Sequence, residues 1–501
     1  MNIVMKIRFL VAAIAVAVLT PSLEAQDNAT ATGPYQANWE SLEKHNPAPE
    51  WFRDAKFGIY FHWGVYSVPA FGSEWYPRYM HDPKHKVHKH HVEKYGPVDQ
   101  YGYDRFVQDF KAENFDAEEW CDLFQKSGAK FVGPVSEHHD GFAMWDSELT
   151  PWNSMDRGPQ RDITGEMAVA AKKRGMKFVT TFHHARNNLW EKQPGKWSGH
   201  FDGAKNHFPK ALENEERAFM YGYMPREKFL KMWNGKLSEV INQYSPDLIW
   251  FDSWLDEIPD ANRMQFLADY FNHAEQTGQE VVVTYKQQDM PQNICVLDIE
   301  KGGLEGITDF AWLSDDTISM GSWCYTDSLR IKPTNVVLHS LIDIVTKNGQ
   351  LILNLSPMAD GTIPDNQRKV LLELGAWLEK YGESIYNTRP FVIDGHGPTV
   401  AGKGHFGGKA TDIAYSAEDI RYTRNDNVVY AFALGWPGEG TQSVLKGFAA
   451  SQKDAPRDIE SVSLLGSDEK VEYELTDDGL IVTAPKTKTD DMAIVYKVTT
   501  K

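Results

Sequence analysis

Eight short apolar runs, rich in β-branched and aromatic residues, recur between residues 56 and 356 of this 501-residue chain. They are KFGIYFHW (56–63), KFVGPVS (130–136), MKFVTTFHH (176–184), DLIWFDS (247–253), VVVTYK (281–286), CVLDIE (295–300), TISMGSW (317–323) and QLILNLS (350–356). Several are continuous rather than alternating, as expected of strands covered on both faces. Amphipathic stretches such as AEEWCDLFQKSG (117–128), ITGEMAVAAKKRG (163–175) and REKFLKMWNGKLSEVINQY (226–244) separate many of them and end near Gly or a polar turn. Eight strands in mostly β/α order predict a closed (β/α)8-like TIM barrel with its helices outside. The gap from Lys286 to Cys295 is too short for a crossover helix, so an irregular second half is expected.

After the helical RKVLLELGAWLEKYG (368–382) the texture changes. Residues 395–411 are rich in Gly, and from about Thr423 the runs VVYAFALGW, SVSLLGS, KVEYELTDDGLIVTAP and MAIVYKV predict an antiparallel β-sandwich. At the other end, Lys6 and Arg8 precede the apolar run Phe9–Leu19, Thr20 and Pro21 break it, and Ala25 offers a small residue for cleavage. That pattern is a secretory signal, and it predicts export to the periplasm or the exterior. The run is shorter than the roughly 20 residues of a membrane span. The expected plan is a signal over 1–25, a barrel over 26–390 and a β-sandwich over 391–501. Cys121, Cys295 and Cys324 are expected to be buried thiols, a Cys295–Cys324 bridge being the alternative. A net charge of −18 argues against a general affinity for nucleic acid or anionic membrane. Oligomeric state is not encoded in any pattern found.

Chemistry in such a barrel sits at the carboxyl ends of the strands. His62 and Trp63 end the first run, Glu137 to Gly141 (EHHDG) the second, His183 and His184 the third, Asp252 the fourth and Glu300 the sixth. Asp252 reads equally as a site carboxylate or as the cap of the next helix. Trp63, Trp75, Trp145, Trp152, Trp250, Trp254, Trp312 and Trp323 lie at or near these ends. Aromatic faces stack on sugar rings while His, Glu and Asp bind hydroxyls, so the composition reads as a carbohydrate site, although a core role is commoner for any one Trp.

On these residues the chain resembles the family 29 α-L-fucosidases, retaining exo-glycosidases. The similarity runs through WFRDAKFGIYFHWGVYSVPAFGSEWYPRYM (51–80), EHHDGFAMWDSELTPWN (137–153), RDITGEMAVAAKKRGMKF (161–178), DLIWFDS (247–253), WLSDDTISMGSWCY (312–325) and VTKNGQLILNLSPMADGTIPDNQ (345–367). The resemblance implies that Asp252 is the nucleophile and that His62, Glu74, Trp75, His138 and His139 line the fucose pocket. It implies further that Trp250 is an aromatic wall and that Trp323 packs on the sugar methyl group. The acid/base is less well aligned: Glu300 is preferred because it ends an apolar run, with Glu305 as second choice. Two departures stand out. His183 or His184 occupies the place of a Tyr-Tyr-Ser stretch, and Lys286 stands near the position of an Arg.

Retaining hydrolysis needs one ionised carboxylate and one carboxylic acid with a raised pKa, roughly 5 to 5.5 Å apart. The implied substrate is a fucosylated oligosaccharide or glycoconjugate, with no cofactor and no metal. Two rivals remain. HKHH (88–91) and the paired histidines fit a metal-dependent hydrolase on the same barrel, although HKHH reads better as a solvated face, and adjacent strand-end histidines point to opposite sides. A non-catalytic fucose-binding protein would keep the pocket and lack a working acid.

Overall fold

The computed structural model describes residues 33–188, 199–406, 413 and 415–501. The proposed signal over 1–25 lies outside them. Eight parallel strands close a barrel in sequential order: β1 (Phe57–Phe61), β2 (Phe131–Glu137), β3 (Lys177–Phe182), β4 (Leu248–Phe251), β5 (Val282–Lys286), β6 (Val296–Asp298), β7 (Trp312–Thr317) and β8 (Gly349–Leu355). Closure is made by β1, which pairs with β2 at Gly58↔Phe131 and with β8 at Phe57↔Leu351.

The strands are nearly all buried because both faces are covered. Inside, Tyr60, Phe131, Val135, Val179, Leu248, Trp250, Val282, Leu313 and Ile352 fill the lumen as one apolar cluster. Gly58 makes room there: a Cβ on it would stand 2.1 Å from the Phe131 ring. Outside pack the helices Ala117–Lys126, Ile163–Lys173, Arg226–Tyr244, Asp260–Thr277, Thr334–Thr346 and Asp365–Tyr381. Their starts follow ordinary capping chemistry, with Asp116 accepting from the N–H groups of Glu118 and Glu119, and Asp162 from that of Gly165. As expected, β5, β6 and β7 follow one another through turns and short loops.

Two expectations need correction. TISMGSW begins where the seventh strand ends; the strand is WLSDDT, whose inward and outward polar residues hid it from an apolar search. HKHH is not a solvated face, since His91 is buried and its Nδ1 lies 3.0 Å from the Tyr76 hydroxyl. All three cysteines are free and buried.

Beyond the barrel, β9 (Arg389–His396), β10 (Ile420–Asn425), β11 (Val428–Ala433), β13 (Ile459–Leu464) and β16 (Ile494–Thr500) form an antiparallel sheet in the order β13-β16-β11-β10-β9. It faces a three-stranded sheet of β12 (Gln442–Leu445), β14 (Tyr473–Thr476) and β15 (Gly479–Thr483) across a second apolar core. Its other face joins the barrel's own core: Tyr430, Phe432 and Val495 cluster with Trp377 and Leu341. Trp377 Nε1 donates to the Ala493 carbonyl at 3.0 Å, and Arg421 pairs with Asp343 at 2.7 Å.

Candidate active site

Strand-end residues from β1 to β8 converge on one polar centre. Asp252 follows β4 directly, and its N–H still bonds the Phe182 carbonyl of β3 at 3.2 Å, so the carboxylate is held by the sheet rather than by a helix start. Its Oδ2 lies 3.2 Å from His139 Nε2 and 3.9 Å from Arg186, and its Oδ1 lies 3.5 Å from Lys286 Nζ. Burial opposes ionisation of Asp252, but Lys286, the His139 hydrogen bond and Arg186 outweigh it and hold the carboxyl well below the usual range.

Lys286, at the end of β5, is the hub. Its Nζ reaches Glu300 at 2.9 Å, Asp315 at 3.2 Å, Asp252 at 3.5 Å and Asp298 at 3.7 Å, and it sits 4.8 Å from the Trp250 ring centre. Burial alone would discharge this ammonium; the ring of carboxyls reverses that and raises its pKa well above normal. One cation among four carboxyls leaves excess negative charge, and protons relieve it. Glu300 is pushed up to about 7 by burial, with Asp315 and Asp252 adding to the rise against the pull of Lys286. Asp298, fully buried and hydrogen-bonded to Asp315, is driven well above the carboxylate range by burial and by that neighbour. Tyr60 donates to Asp315 at 3.2 Å and Trp250 Nε1 to Asp298 at 3.1 Å, each to the Oδ2 atom.

Around this centre stand the histidines. The backbone N–H and the Nδ1 of His62 each lie 2.8 Å from Asn354 Oδ1, which makes Nδ1 the donor and leaves Nε2 as an acceptor. The rings of His138 and His183 lie 5.4 and 5.2 Å from that of His62, and their Nδ1 atoms have no protein partner. Burial holds His62 at about 4 and drives His138 and His183 well below normal, so the three face the centre as neutral hydrogen-bonding groups. His184 turns the other way and stacks on Trp233 at 5.5 Å, as the alternation of a strand end requires. One ring nitrogen from each of His62, His138 and His183 falls within 4.8 Å of the others, so three rings could hold a metal ion.

Loops complete the wall. The Glu74 carboxylate, raised by burial, accepts from the Trp323 N–H at 3.0 Å and from Ser322 at 3.2 Å. Trp323 packs 5.3 Å from His62, and Trp75 lies 5.5 Å from His139 and 5.2 Å from His200. Glu305, by contrast, is exposed and paired with Lys403. Trp63, Trp145, Trp152 and Trp312 are buried core residues, with Trp312 opening β7 rather than closing it.

Sequence reasoning missed Asp298, Asp315, Arg186, His200, Tyr60 and Asn354. A signal existed for Asp315: in WLSDDT the period of two sends Asp315 to Lys286 and Asp316 to the opposite side, where Lys332 holds it at 2.9 Å. Glu137, in the EHHDG motif, serves the structure instead, in a buried pair with Lys236 at 2.7 Å. A wider cleft of about 1060 Å³ runs along Thr334, Trp377 and Met492 and contains none of these residues.

Comparison with known proteins gives the family. Residues 22–383 match the model of the alpha-L-fucosidase family and residues 415–501 that of the alpha-L-fucosidase C-terminal domain. The tissue alpha-L-fucosidase of Rattus norvegicus is 30% identical over 92% of this chain and 91% of its own length. The plasma alpha-L-fucosidase of Homo sapiens is 32% identical over 81% and 80%. A crystal structure of Thermotoga maritima alpha-fucosidase, in complex with a mechanism based inhibitor, superposes with a TM-score of 0.73 at 27% identity, covering 93% of this chain and 100% of that one. The chain therefore belongs to the alpha-L-fucosidase family of glycoside hydrolases.

Proposed function

We propose that this chain is a retaining, exo-acting α-L-fucosidase, which removes terminal α-L-fucosyl residues from oligosaccharides or glycoconjugates in two displacements. The observation that carries this reading is the bridging of Asp252 and Glu300 by one ammonium, at 3.5 and 2.9 Å. One shared ammonium keeps an oxygen of each carboxyl beside the same point, an arrangement compatible with the roughly 5 to 5.5 Å spacing of retaining pairs. The opposed pKa directions support the roles proposed here, with Asp252 as the nucleophile and Glu300 as the general acid.

Asp252 attacks the anomeric carbon as Glu300 passes its proton to the departing oxygen, giving a fucosyl ester on Asp252 and a free alcohol. The ester carries no charge, so Asp252 stops adding to the rise that burial and Asp315 impose on Glu300, and the Glu300 pKa falls. Glu300 then takes a proton from water, which attacks the ester and regenerates Asp252. Lys286 balances whichever carboxylate is charged. His62, His138, His139, His183, Glu74 and Trp75 would bind the sugar hydroxyls, and Trp250 and Trp323 its apolar surface. Export is proposed from the signal pattern at 1–25, and amino-terminal sequencing of the mature protein tests it.

Asp252→Ala and Glu300→Ala, assayed on 4-nitrophenyl α-L-fucoside with and without azide, test the roles. Glu300→Ala is expected to form α-L-fucosyl azide and Asp252→Ala to lose turnover by at least about 10³-fold. Azide product from a Glu305→Ala variant instead would reassign the acid.

A further inference from the structure

Glu300 lies two residues beyond the end of β6, where the regular ladder has stopped. The N–H groups of its neighbours, Ile299 and Lys301, still bond the β7 carbonyls of Leu313 and Asp315 at 2.9 and 2.8 Å. Glu300, between them, points its own N–H and carbonyl the other way, toward the flank on which β5 ended at Lys286. There a different part of the chain takes over. The Glu300 N–H donates to His405 Nδ1 at 3.1 Å, and the Glu300 carbonyl accepts from the Phe406 N–H at 2.8 Å.

His405 and Phe406 belong to the loop between β9 and β10, in the β-domain. The same loop forms an antiparallel bridge between Gly404 and Gly303, with Gly404 N–H to the Gly303 carbonyl at 2.8 Å, and its Lys403 pairs with Glu305. The Gly302-Gly303 step is what permits this approach, because a Cβ on Gly302 would lie 2.1 Å from the Gly404 carbonyl oxygen. Residues 300–305 are thus gripped by 403–406 along their length. A backbone N–H can only donate, so His405 Nδ1 must be unprotonated and its Nε2 carries the hydrogen. Burial and the nearby Lys286 lower the His405 pKa, against the pull of Asp315 and Asp252, which favours the neutral ring that this hydrogen bond requires.

We propose that His405 is a positioning residue for the acid/base: this loop of the β-domain fixes the backbone at Glu300, and so the aim of its carboxyl at the departing oxygen. The inference rests on the assignment of Glu300 as general acid. Loss of the clamp would cost little for leaving groups that need no proton and much for those that do, since misplacement by about 1 Å can cost 10²-fold.

The test is kcat/KM across aryl α-L-fucosides from 2,4-dinitrophenyl to phenyl, for wild type, His405→Ala, His405→Asn and Glu300→Ala. His405→Asn places Oδ1 about where Nδ1 stood and keeps the acceptor. Expected for His405→Ala is a loss of about 10-fold to 100-fold on the phenyl fucoside with less than about 2-fold on the dinitrophenyl one. His405→Asn should stay near wild type, and Glu300→Ala should show the steepest dependence. A uniform loss, or none, in His405→Ala beside a steep dependence in Glu300→Ala overturns the role of His405 and leaves the acid in place. A flat dependence in Glu300→Ala removes the acid assignment and this inference together.

Discussion

Asp252 and Glu300 both carry carboxyl groups, partly exposed, beside the same lysine, and what separates them is their other neighbours. His139 and Arg186 approach Asp252, whereas Asp315 and Asp252 itself crowd Glu300. Two pH effects follow. The acid must hold its proton, so kcat/KM is expected to fall as pH rises through about 7, and the limb should disappear in Glu300→Gln. Stability has its own sign. The folded pKa of Glu300 lies above its ordinary 4.5, so the folded protein binds a proton there that the unfolded chain has lost. That contribution is present at low pH and is lost as pH rises through the interval up to about 7. Glu300→Gln should therefore gain in melting temperature over wild type at about pH 8 and gain less at about pH 5, as scanning calorimetry would show. The histidine cluster makes a separate demand. If His62, His138 and His183 serve hydroxyls as neutral groups, exhaustive chelation leaves kcat unchanged; activity lost to chelator and restored by a divalent ion would instead favour the metal-dependent reading. His62, His138 and Asp252 could be picked from the sequence because each ends an apolar run. Arg186 and His200 could not, since neither ends an apolar run.

At the scale of elements, β4 to β7 are bound by one ion cluster as well as by their ladders. Their apolar halves made β4, β5 and β6 legible, but β7 spends Ser314, Asp315 and Asp316 on the cluster and its surroundings and so has no hydrophobic signature. The pairing with Lys286 explains why a strand so polar is buried. Lys286→Met removes the hub and leaves the carboxyl cluster without its central cation, which is expected to cost about 3–5 kcal/mol of folding stability in urea titration. The loss of attraction should also move the acidic limb of the activity profile upward, because Lys286 leads the groups that hold Asp252 ionised. A variant as stable as wild type would mean that the carboxyls had taken up protons without strain.

The whole molecule joins a barrel to a β-domain that shares its core. The change in texture after residue 382 revealed the second domain, but nothing in a Gly-rich stretch revealed that its first loop returns to Glu300. The contacts that matter are long-range pairs of backbone groups, and these leave no periodicity to read. A chain ended at residue 388 would uncover Trp377 and Leu341 and leave Asp343 without Arg421, so it is expected to aggregate on expression rather than fold as a barrel. Soluble, active barrel alone would show that the shared core is dispensable. The two carboxyls, acting in two displacements, dictate one stereochemical outcome. Proton NMR of the first fucose released from an aryl α-L-fucoside reads it within the first minutes, before mutarotation. Retention predicts α-L-fucose as the first-formed anomer; β-L-fucose appearing first would contradict a double displacement at Asp252.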